Sequence, residues 1–258
     1  MIGATLMLEG ATGAATYTPA GKWVMDYQQD LCLLTRPFES NGSRLTFGLR
    51  QAPADHSVKV ILLAANDPDA KPRLGILRTQ LASSEVQWVM LTASRRVPGT
   101  TGRLMRFTLN IDDVMAMRDD DVLTLKEDDR PDLTLHLAGT AAALRALRRC
   151  ERDQMISWGL DVSTIATLPK PVGSVADWFK FPPKEAVNRR GGSTTIRWMI
   201  NTAGKVHDCT VVTPSGTAAL DTAACAQVVK RGRYEPAIGK DGQPRPWIDS
   251  KRIIWILS

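Results

Sequence analysis

The clearest structural signal in the chain is the stretch Ile196-Arg197-Trp198-Met199-Ile200-Asn201-Thr202-Ala203-Gly204-Lys205-Val206. The apolar residues at positions 196, 198 and 200 alternate with Thr195 and Arg197, as expected of a strand with one buried face. Residues 201–205 are turn-forming, and Gly204 can adopt the positive φ that a tight hairpin requires. A second strand is predicted over 206–212, so the stretch encodes a β-hairpin.

The residues around this hairpin predict a small mixed unit. A short helix is predicted over 183–187, because proline suits the first position of a helix. A longer helix is predicted over about 220–230, where Asp221 complements the helix dipole near its start. A turn at Asp241-Gly242 then leads to a final strand over 248–257. These elements alternate closely enough to form one compact unit.

The region before this unit is mostly strand-like. Apolar or alternating runs separated by turn residues predict strands over 23–25, 44–49, 58–63, 86–90, 104–109 and 133–137. The period then changes, because Leu144, Leu147, Cys150 and Trp158 recur at helical spacing. Thr140 can begin that helix and Gly159 can end it. The region is therefore predicted to be an antiparallel β domain closed by one helix, and the whole chain to be α+β.

Composition changes indicate four segments. Residues 1–19 are predicted to be a signal-like or disordered tail, 20–160 the β-rich domain, 161–181 a linker and 182–258 the second domain. The first fifteen residues are small and apolar and end in Gly13-Ala14-Ala15, as before a signal-peptidase site, but Glu9 interrupts them and no basic region precedes them. Both a truncated export signal and a loose tail fit this pattern. The linker suggests that the second domain folds independently.

Charge is concentrated at the C-terminal end. From residue 170 onward there are 14 Lys and Arg against 7 Asp and Glu, although the net charge of the whole chain is +6. This surplus favours acidic partners or an anionic surface. Because the basic residues are scattered singly and no nucleic-acid motif accompanies them, no nucleic-acid partner is expected. No run of about 18 apolar residues occurs, so no membrane span is expected either.

The four cysteines are Cys32, Cys150, Cys209 and Cys225, and none has zinc-site spacing. The domain division favours one of the three possible pairings, Cys32–Cys150 in the first domain and Cys209–Cys225 in the second. Two such disulfides would indicate an oxidising compartment such as the periplasm. The alternative is four buried thiols in a cytosolic protein.

The sequence carries no recognisable catalytic or metal-binding motif. The three histidines, His56, His136 and His207, are far apart and fit ordinary structural positions. The acidic residues 119–121, 128, 129 and 132 could bind calcium, but they lack the spacing of an EF-hand loop and fit a solvated acidic face better. We expect no enzyme activity, no cofactor and no metal.

Several short motifs in the second domain occur in a characteristic order. They are Pro183 to Ala186, Gly192, Gly204-x-Val206, Ser215-Gly216, Leu220-Asp221-x-Ala223-Ala224, Arg233-Tyr234-x-Pro236-Ala237 and Asp241-Gly242-x-Pro244. Over about residues 182–257 this set resembles the C-terminal domain of the TonB family of energy transducers. The resemblance implies a three-stranded antiparallel sheet with two helices. The sequence departs from the family pattern at Pro182, Pro214 and Gly232, which affects the helix ends rather than the fold.

The first domain resembles the invasion-associated locus B family more loosely. The shared features are an aromatic-led strand at Trp23, the following Cys32 and the helix entry at 137–142. No function is carried over from that resemblance.

The TonB resemblance implies a periplasmic binding module that takes up an extended peptide of an outer-membrane receptor, or of another envelope protein, as an added strand. The last strand is the predicted docking edge, and its predicted contact residues are Arg252, Ile253, Ile254, Trp255 and Ile256. Pairing of this strand in a homodimer, or an interior position for it, are the alternatives. The chain contains neither a membrane anchor nor a long proline-rich spacer, so we do not expect it to act alone as a conventional energy transducer. The second functional hypothesis is an envelope scaffold or assembly protein with no role in transport.

Overall fold

The computed structural model describes residues 14–67, 70–128, 130–183 and 191–256. Its first part, here called the barrel unit, covers residues 14–160. Ten strands build it: β1 Ala15–Pro19, β2 Val24–Tyr27, β3 Cys32–Ser40, β4 Ser43–Gln51, β5 Ser57–Ala64, β6 Arg73–Leu81, β7 Gln87–Arg96, β8 Arg103–Asn110, β9 Val122–Glu127 and β10 Leu133–His136. Helix α1, Ile111–Met115, follows β8, and helix α2, Thr140–Ser157, follows β10.

The strands of the barrel unit close on themselves. Their order is β1-β10-β9-β6-β7-β8-β5-β4-β3, and β1 pairs again with β3, which completes a ring of nine strands. Strand β2 pairs with the first half of β3, outside this ring. All pairs are antiparallel except β1 with β10, where Ala15 lies opposite Leu133. The prediction of a wholly antiparallel domain is therefore wrong at one pair, because a closed ring with an odd number of strands must contain a parallel pair.

The predicted helix is present as α2, and the mixed α+β class is confirmed, but the domain has a second, short helix. Asn110 caps α1 by accepting a hydrogen bond from the backbone N–H of Asp112, 3.0 Å away. The predicted tail also differs from the structure, since residues 15–19 form β1. The remainder of the predicted tail, residues 1–13, lies outside the described residues.

Alternate side chains of the strands fill the barrel interior. Phe38, Phe47 and Leu135 are fully or almost fully buried there, and α2 contributes Leu144 and Leu147 to the same core. The disulfide Cys32–Cys150 links β3 to α2, as predicted. Helix α2 is thus attached to the barrel both by apolar packing and by a covalent bond.

The second part, here called the C-terminal unit, covers residues 161–256. Its strands are β11 Ile165–Thr167, β12 Lys170–Pro171, β13 Gly192–Ile200, β14 Val206–Thr213, β15 Tyr234–Glu235, β16 Ala237–Gly239, β17 Pro244–Arg245 and β18 Trp247–Trp255, and helix α3 is Ala218–Arg231. The main sheet is antiparallel in the order β14-β13-β18, which confirms the predicted three strands. The predicted helix near 220–230 is α3. Of the other predicted helix, 183–187, residues 184–187 lie outside the described residues, as does Leu257 of the predicted last strand.

The hairpin between β13 and β14 has the geometry that its sequence predicts. Gly204 has a φ of +72°, and a Cβ at this position would lie 1.8 Å from the backbone oxygen of Tyr234. Glycine is therefore required both for the backbone conformation and for the close approach of the chain before β16. One face of the sheet packs on Leu220, Ala224 and Val228 of α3.

The predicted linker is largely structured. Strand β11 pairs with β16 and β12 pairs with β15, so residues 165–171 belong to the small sheets of the C-terminal unit. Trp178 is buried in the core of that unit, where its ring meets the ring of Tyr234 edge-on at 5.4 Å. The prolines of this segment remove regular periodicity from the sequence, but they do not prevent it from packing.

The two units share a small apolar core. Met155 and Leu160 of the barrel unit pack with Ala237, Trp247 and Ile248 of the C-terminal unit. An ion pair lies beside this core, with Arg197 Nη2 2.6 Å from Asp30 Oδ1. The units are therefore packed against each other rather than joined by a free linker.

This packing leads to a prediction for isolated fragments. A fragment of residues 161–258 keeps β11, β12 and Trp178, whereas a fragment of residues 179–258 loses all three. The shorter fragment is expected to be less stable by about 3 kcal/mol, because it forfeits the burial of one tryptophan. Urea denaturation of the two fragments under oxidising conditions measures the difference, and equal stabilities would contradict a structural role for residues 161–178.

Candidate functional site

Strand β18 lies at an edge of the main sheet. It pairs with β13 over nine consecutive positions, from Trp247 opposite Ile200 to Trp255 opposite Gly192. On its other side no strand pairs with it among the described residues. The last strand therefore presents an unpaired backbone edge.

The backbone groups on that edge can be identified from one close contact. The carbonyl oxygen of Trp255 lies 2.8 Å from the position that a Cβ on Gly191 would occupy, while its carbonyl carbon is 4.0 Å away, so this C=O points toward β13. Successive residues of an antiparallel strand direct their N–H and C=O groups to opposite edges. The N–H and C=O of Ile254 therefore point outward, and by the same alternation so do those of Arg252.

The five predicted contact residues are not equivalent. Ile253 and Trp255 are buried in the core of the C-terminal unit, 6% and 5% exposed. Ile254 and Ile256 are 59% and 75% exposed. The side chains available to a partner next to the open edge are therefore Ile254 and Ile256, while Ile253 and Trp255 hold the strand in place.

Arg252 is not the freely exposed charge that its place on an edge strand suggests. Its Nε donates to Ser193 Oγ at 2.9 Å and its Nη1 donates to Thr108 Oγ1 at 2.7 Å. Thr108 belongs to β8, so Arg252 joins the edge strand to the barrel. Burial lowers the pKa of this guanidinium. The side chain fixes the position of β18 against the barrel.

A groove runs along the end of β18. Its volume is about 530 Å³, and residues 251–256 form one wall. Val175, Phe179 and Phe181 line the other wall, and the ring of Phe181 meets the ring of Trp255 edge-on at 6.1 Å. No backbone hydrogen bond joins the two walls within the described parts of the chain. The groove therefore offers apolar side chains beside an open strand edge.

The far wall of the groove is held by α3. Gln227 Nε2 donates to the backbone oxygen of Lys180 at 2.8 Å, and the backbone N–H of Lys180 donates to Gln227 Oε1 at 2.6 Å. Arg231 Nη1 donates to the backbone oxygen of Trp178 at 2.8 Å. Residues 178–181, which form this wall, were predicted to belong to the linker, so their part in the groove was not predicted. The feature of the sequence that could have indicated a packed segment is its three aromatic residues within four positions, Trp178, Phe179 and Phe181.

Two further features fix the sheet that carries β18. The second predicted disulfide, Cys209–Cys225, is present and ties β14 to α3. Tyr234 OH donates to Asp249 Oδ2 at 2.7 Å, which ties β15 to β18. Burial raises the pKa of the Asp249 carboxyl above its ordinary value. Tyr234 thus anchors the chain after α3.

The histidine and aspartate residues considered for catalysis or calcium binding make ordinary structural contacts. His207 is exposed, with its Nδ1 2.7 Å from Asp208 Oδ2. Asp121 accepts hydrogen bonds from the backbone N–H groups of Ser83 and Arg118, so it closes a turn. In the described ranges, no group of three or more His, Cys, Asp or Glu side chains is arranged to hold a metal ion. Asp129 lies outside those ranges.

Within the described ranges, no helix is both long and apolar enough to cross a lipid bilayer.

Comparison with known families assigns the larger part of the C-terminal unit. Residues 179–257 match the family described as Gram-negative bacterial TonB protein C-terminal. No curated protein matches the chain. The predicted TonB C-terminal domain is therefore confirmed, and the chain carries a domain of Gram-negative envelope proteins linked to TonB-dependent transport. The resemblance of the barrel unit to the invasion-associated locus B family stays a prediction.

Proposed function

We propose that this protein is a periplasmic TonB-family binding protein that captures an extended peptide of an outer-membrane receptor, or of another envelope protein, by strand addition to β18. The observation that carries the proposal is the open backbone edge of β18 beside an apolar groove. Strand addition uses main-chain hydrogen bonds for affinity and pockets for alternate side chains for register. No cofactor and no catalytic step are required.

The edge supplies the two components that such binding needs. The outward N–H and C=O of Ile254 are available for main-chain pairing, and those of Arg252 lie two residues earlier on the same edge. The apolar side chains of Phe179 and Phe181 line the groove next to them. A bound peptide can therefore bury every second side chain in the groove while its backbone extends the sheet.

The periplasmic location rests on two arguments. A TonB C-terminal domain is a domain of the Gram-negative envelope, and two disulfides are stable only where thiols are not kept reduced. A reducing cytosol would open both bonds.

Replacing Ile254 with proline tests the docking edge. Proline removes the outward N–H and places its ring on the open edge, where an edge strand tolerates it but an added strand does not. We expect the variant to fold and its Kd for an extended receptor peptide to rise at least tenfold, as measured by isothermal titration calorimetry.

The matched control is Ile254→Thr, which keeps the N–H and the β-branched side chain and should bind nearly as well as the unaltered protein. Circular dichroism establishes that the proline variant is folded. A folded Ile254→Pro protein with unchanged affinity would rule out β18 as the docking strand.

An envelope scaffold without a transport role is the second candidate. The observation in its favour is an exposed apolar patch on the outer face of β6 and β7, formed by Leu74, Ile76, Val89 and Leu91. Ile76 lies directly opposite Leu91 in the sheet. Contiguous exposed apolar patches are typical of interaction surfaces. Failure of the unaltered protein to bind any receptor peptide would favour this candidate, and self-association that Ile254→Pro abolishes would indicate pairing of β18 in a homodimer.

A further inference from the structure

A crevice at the junction of the two units is lined by positively charged side chains. Arg50 of β4, Lys59 of β5 and Arg252 of β18 line it, together with Thr108 of β8 and Asp55 of the loop before β5. We call this group the seam crevice. Its volume is about 20 Å³, which is roughly the space of one water-sized group. Because residues of both units form its walls, it exists only when the units are packed together.

The register of the barrel brings the cations together. Arg50 lies directly opposite Lys59 in the β4–β5 pair, and Lys59 lies directly opposite Thr108 in the β5–β8 pair. Arg106, two residues before Thr108, faces the same side of the barrel wall. Arg252 reaches the group from the other unit through its hydrogen bond to Thr108. Like charges directly opposite in a sheet destabilise the pairing unless something compensates them.

Within the described parts of the chain, carboxylates only partly neutralise the positive charges of the seam crevice. Asp55 is the single carboxylate among the described residues that line the crevice, and its Oδ1 already accepts hydrogen bonds from the N–H and the hydroxyl of Ser57. No salt bridge joins Arg50, Lys59 or Arg252 to a carboxylate in these parts. Burial, and then the charges of Arg50, Arg252 and Arg106, lower the pKa of Lys59 to about 8.

We propose that the seam crevice binds an oxyanion of the phosphate class between Arg50, Lys59 and Arg252. A guanidinium presents a fork of N–H donors that matches a phosphate group, and an ammonium adds a compact positive charge. The space inside the crevice admits one oxygen of the anion, and the rest of the phosphate group lies at its open mouth. Two sources share this chemistry, free phosphate and the headgroup of an anionic lipid. The site goes beyond peptide capture, and its ligand would strengthen the contact between the two units.

The test compares the full-length protein with Lys59→Met, which removes the charge but keeps an unbranched side chain. Inorganic phosphate is titrated calorimetrically against a chloride control of equal ionic strength. We expect saturable phosphate binding to the unaltered protein and at least a tenfold loss of affinity in Lys59→Met. The matched control is Lys230→Met, because Lys230 of α3 is exposed and does not line the crevice. That variant should bind phosphate normally.

Stability in the absence of phosphate provides a second readout. Because the pKa of folded Lys59 lies below its ordinary value of 10.5, its charged form costs stability below about pH 8, and the cost disappears as the pH rises toward 10.5. The groups facing Lys59 are Arg50, Arg106, Arg252 and Asp55. Without phosphate, Lys59→Met should therefore have a Tm at pH 7 at least as high as that of the unaltered protein, and the difference should shrink as the pH rises to 10.

Vesicles distinguish the two sources. If the ligand is a lipid headgroup, phosphatidylglycerol vesicles should retain the unaltered protein but not Lys59→Met, while phosphatidylcholine vesicles retain neither. If the ligand is free phosphate, only the calorimetric titration should respond to Lys59→Met. The proposal is overturned if neither probe binds, or if Lys59→Met binds both as well as the unaltered protein does. Receptor-peptide binding is measured separately, so failure here does not bear on the docking edge.

Discussion

Replacing Cys32 and Cys150 together by alanine is expected to lower the free energy of unfolding by roughly 4–5 kcal/mol. The two cysteines are 118 residues apart in sequence, so their bond restricts a long loop of the unfolded chain. The loss of conformational entropy in the unfolded state grows with the length of the loop that is closed. Urea denaturation at constant temperature, with the second disulfide intact, measures the effect.

The matched control is the double replacement of Cys209 and Cys225 by alanine. Their bond spans 16 residues, so its removal should cost roughly 3 kcal/mol, less than removal of the first. Each variant is checked by non-reducing peptide mapping for the remaining bond. A larger loss from the C-terminal pair would mean that strain or local packing, rather than loop length, determines what these bonds contribute.

Replacing Arg197 by alanine is expected to lower the free energy of unfolding by about 3–5 kcal/mol. Arg197 Nε and Nη2 both donate to Asp30 Oδ1, at 2.9 and 2.6 Å, and the guanidinium lies 4.3 Å from the ring centre of Trp158. Truncation leaves the Asp30 carboxylate without its cation at the junction of the units. Chemical denaturation measures the loss, and a double-mutant cycle with Asp30→Asn isolates the coupling of the pair.

Lys126→Ala is the control for this prediction. Lys126 Nζ lies 3.1 Å from Asp132 Oδ2, but the two side chains are 51% and 37% exposed, so the replacement should cost under about 1 kcal/mol. If Arg197→Ala costs no more than Lys126→Ala, the ion pair at the junction does not hold the units together, and the shared apolar core and the Arg252–Thr108 hydrogen bond must do so.

The C-terminal hairpin could be predicted because its information is local. The alternation of Ile196, Trp198 and Ile200 and the glycine at 204 lie within nine residues, and each corresponds to a feature of the fold. Both disulfide pairings could be predicted as well, because the change of pattern near residue 160 divides the cysteines into two pairs. The edge position of β18 followed from the TonB resemblance.

The closure of the barrel could not be predicted, because its partners are distant in sequence. Residues 15–19 form a short strand with no turn signal of its own, and its partner β10 begins 118 positions later. The packed segment around Trp178 has no period, and only the tertiary contact with Tyr234 reveals its place. The burial of Arg252 could not be predicted, because its partner Thr108 belongs to a different unit and lies far away in sequence.

The pairing of β1 with β10 has a consequence for the order of folding. Contacts between residues far apart in sequence form slowly, because a long loop must close before they are made. The ring cannot close until residue 136 has been synthesised. Until then one edge of β1 stays unpaired, although strands β2 to β9 have already been made. Unpaired strand edges in incomplete sheets promote aggregation. The interval between synthesis of β1 and synthesis of β10 is therefore the stage of folding at which this chain is most prone to aggregate.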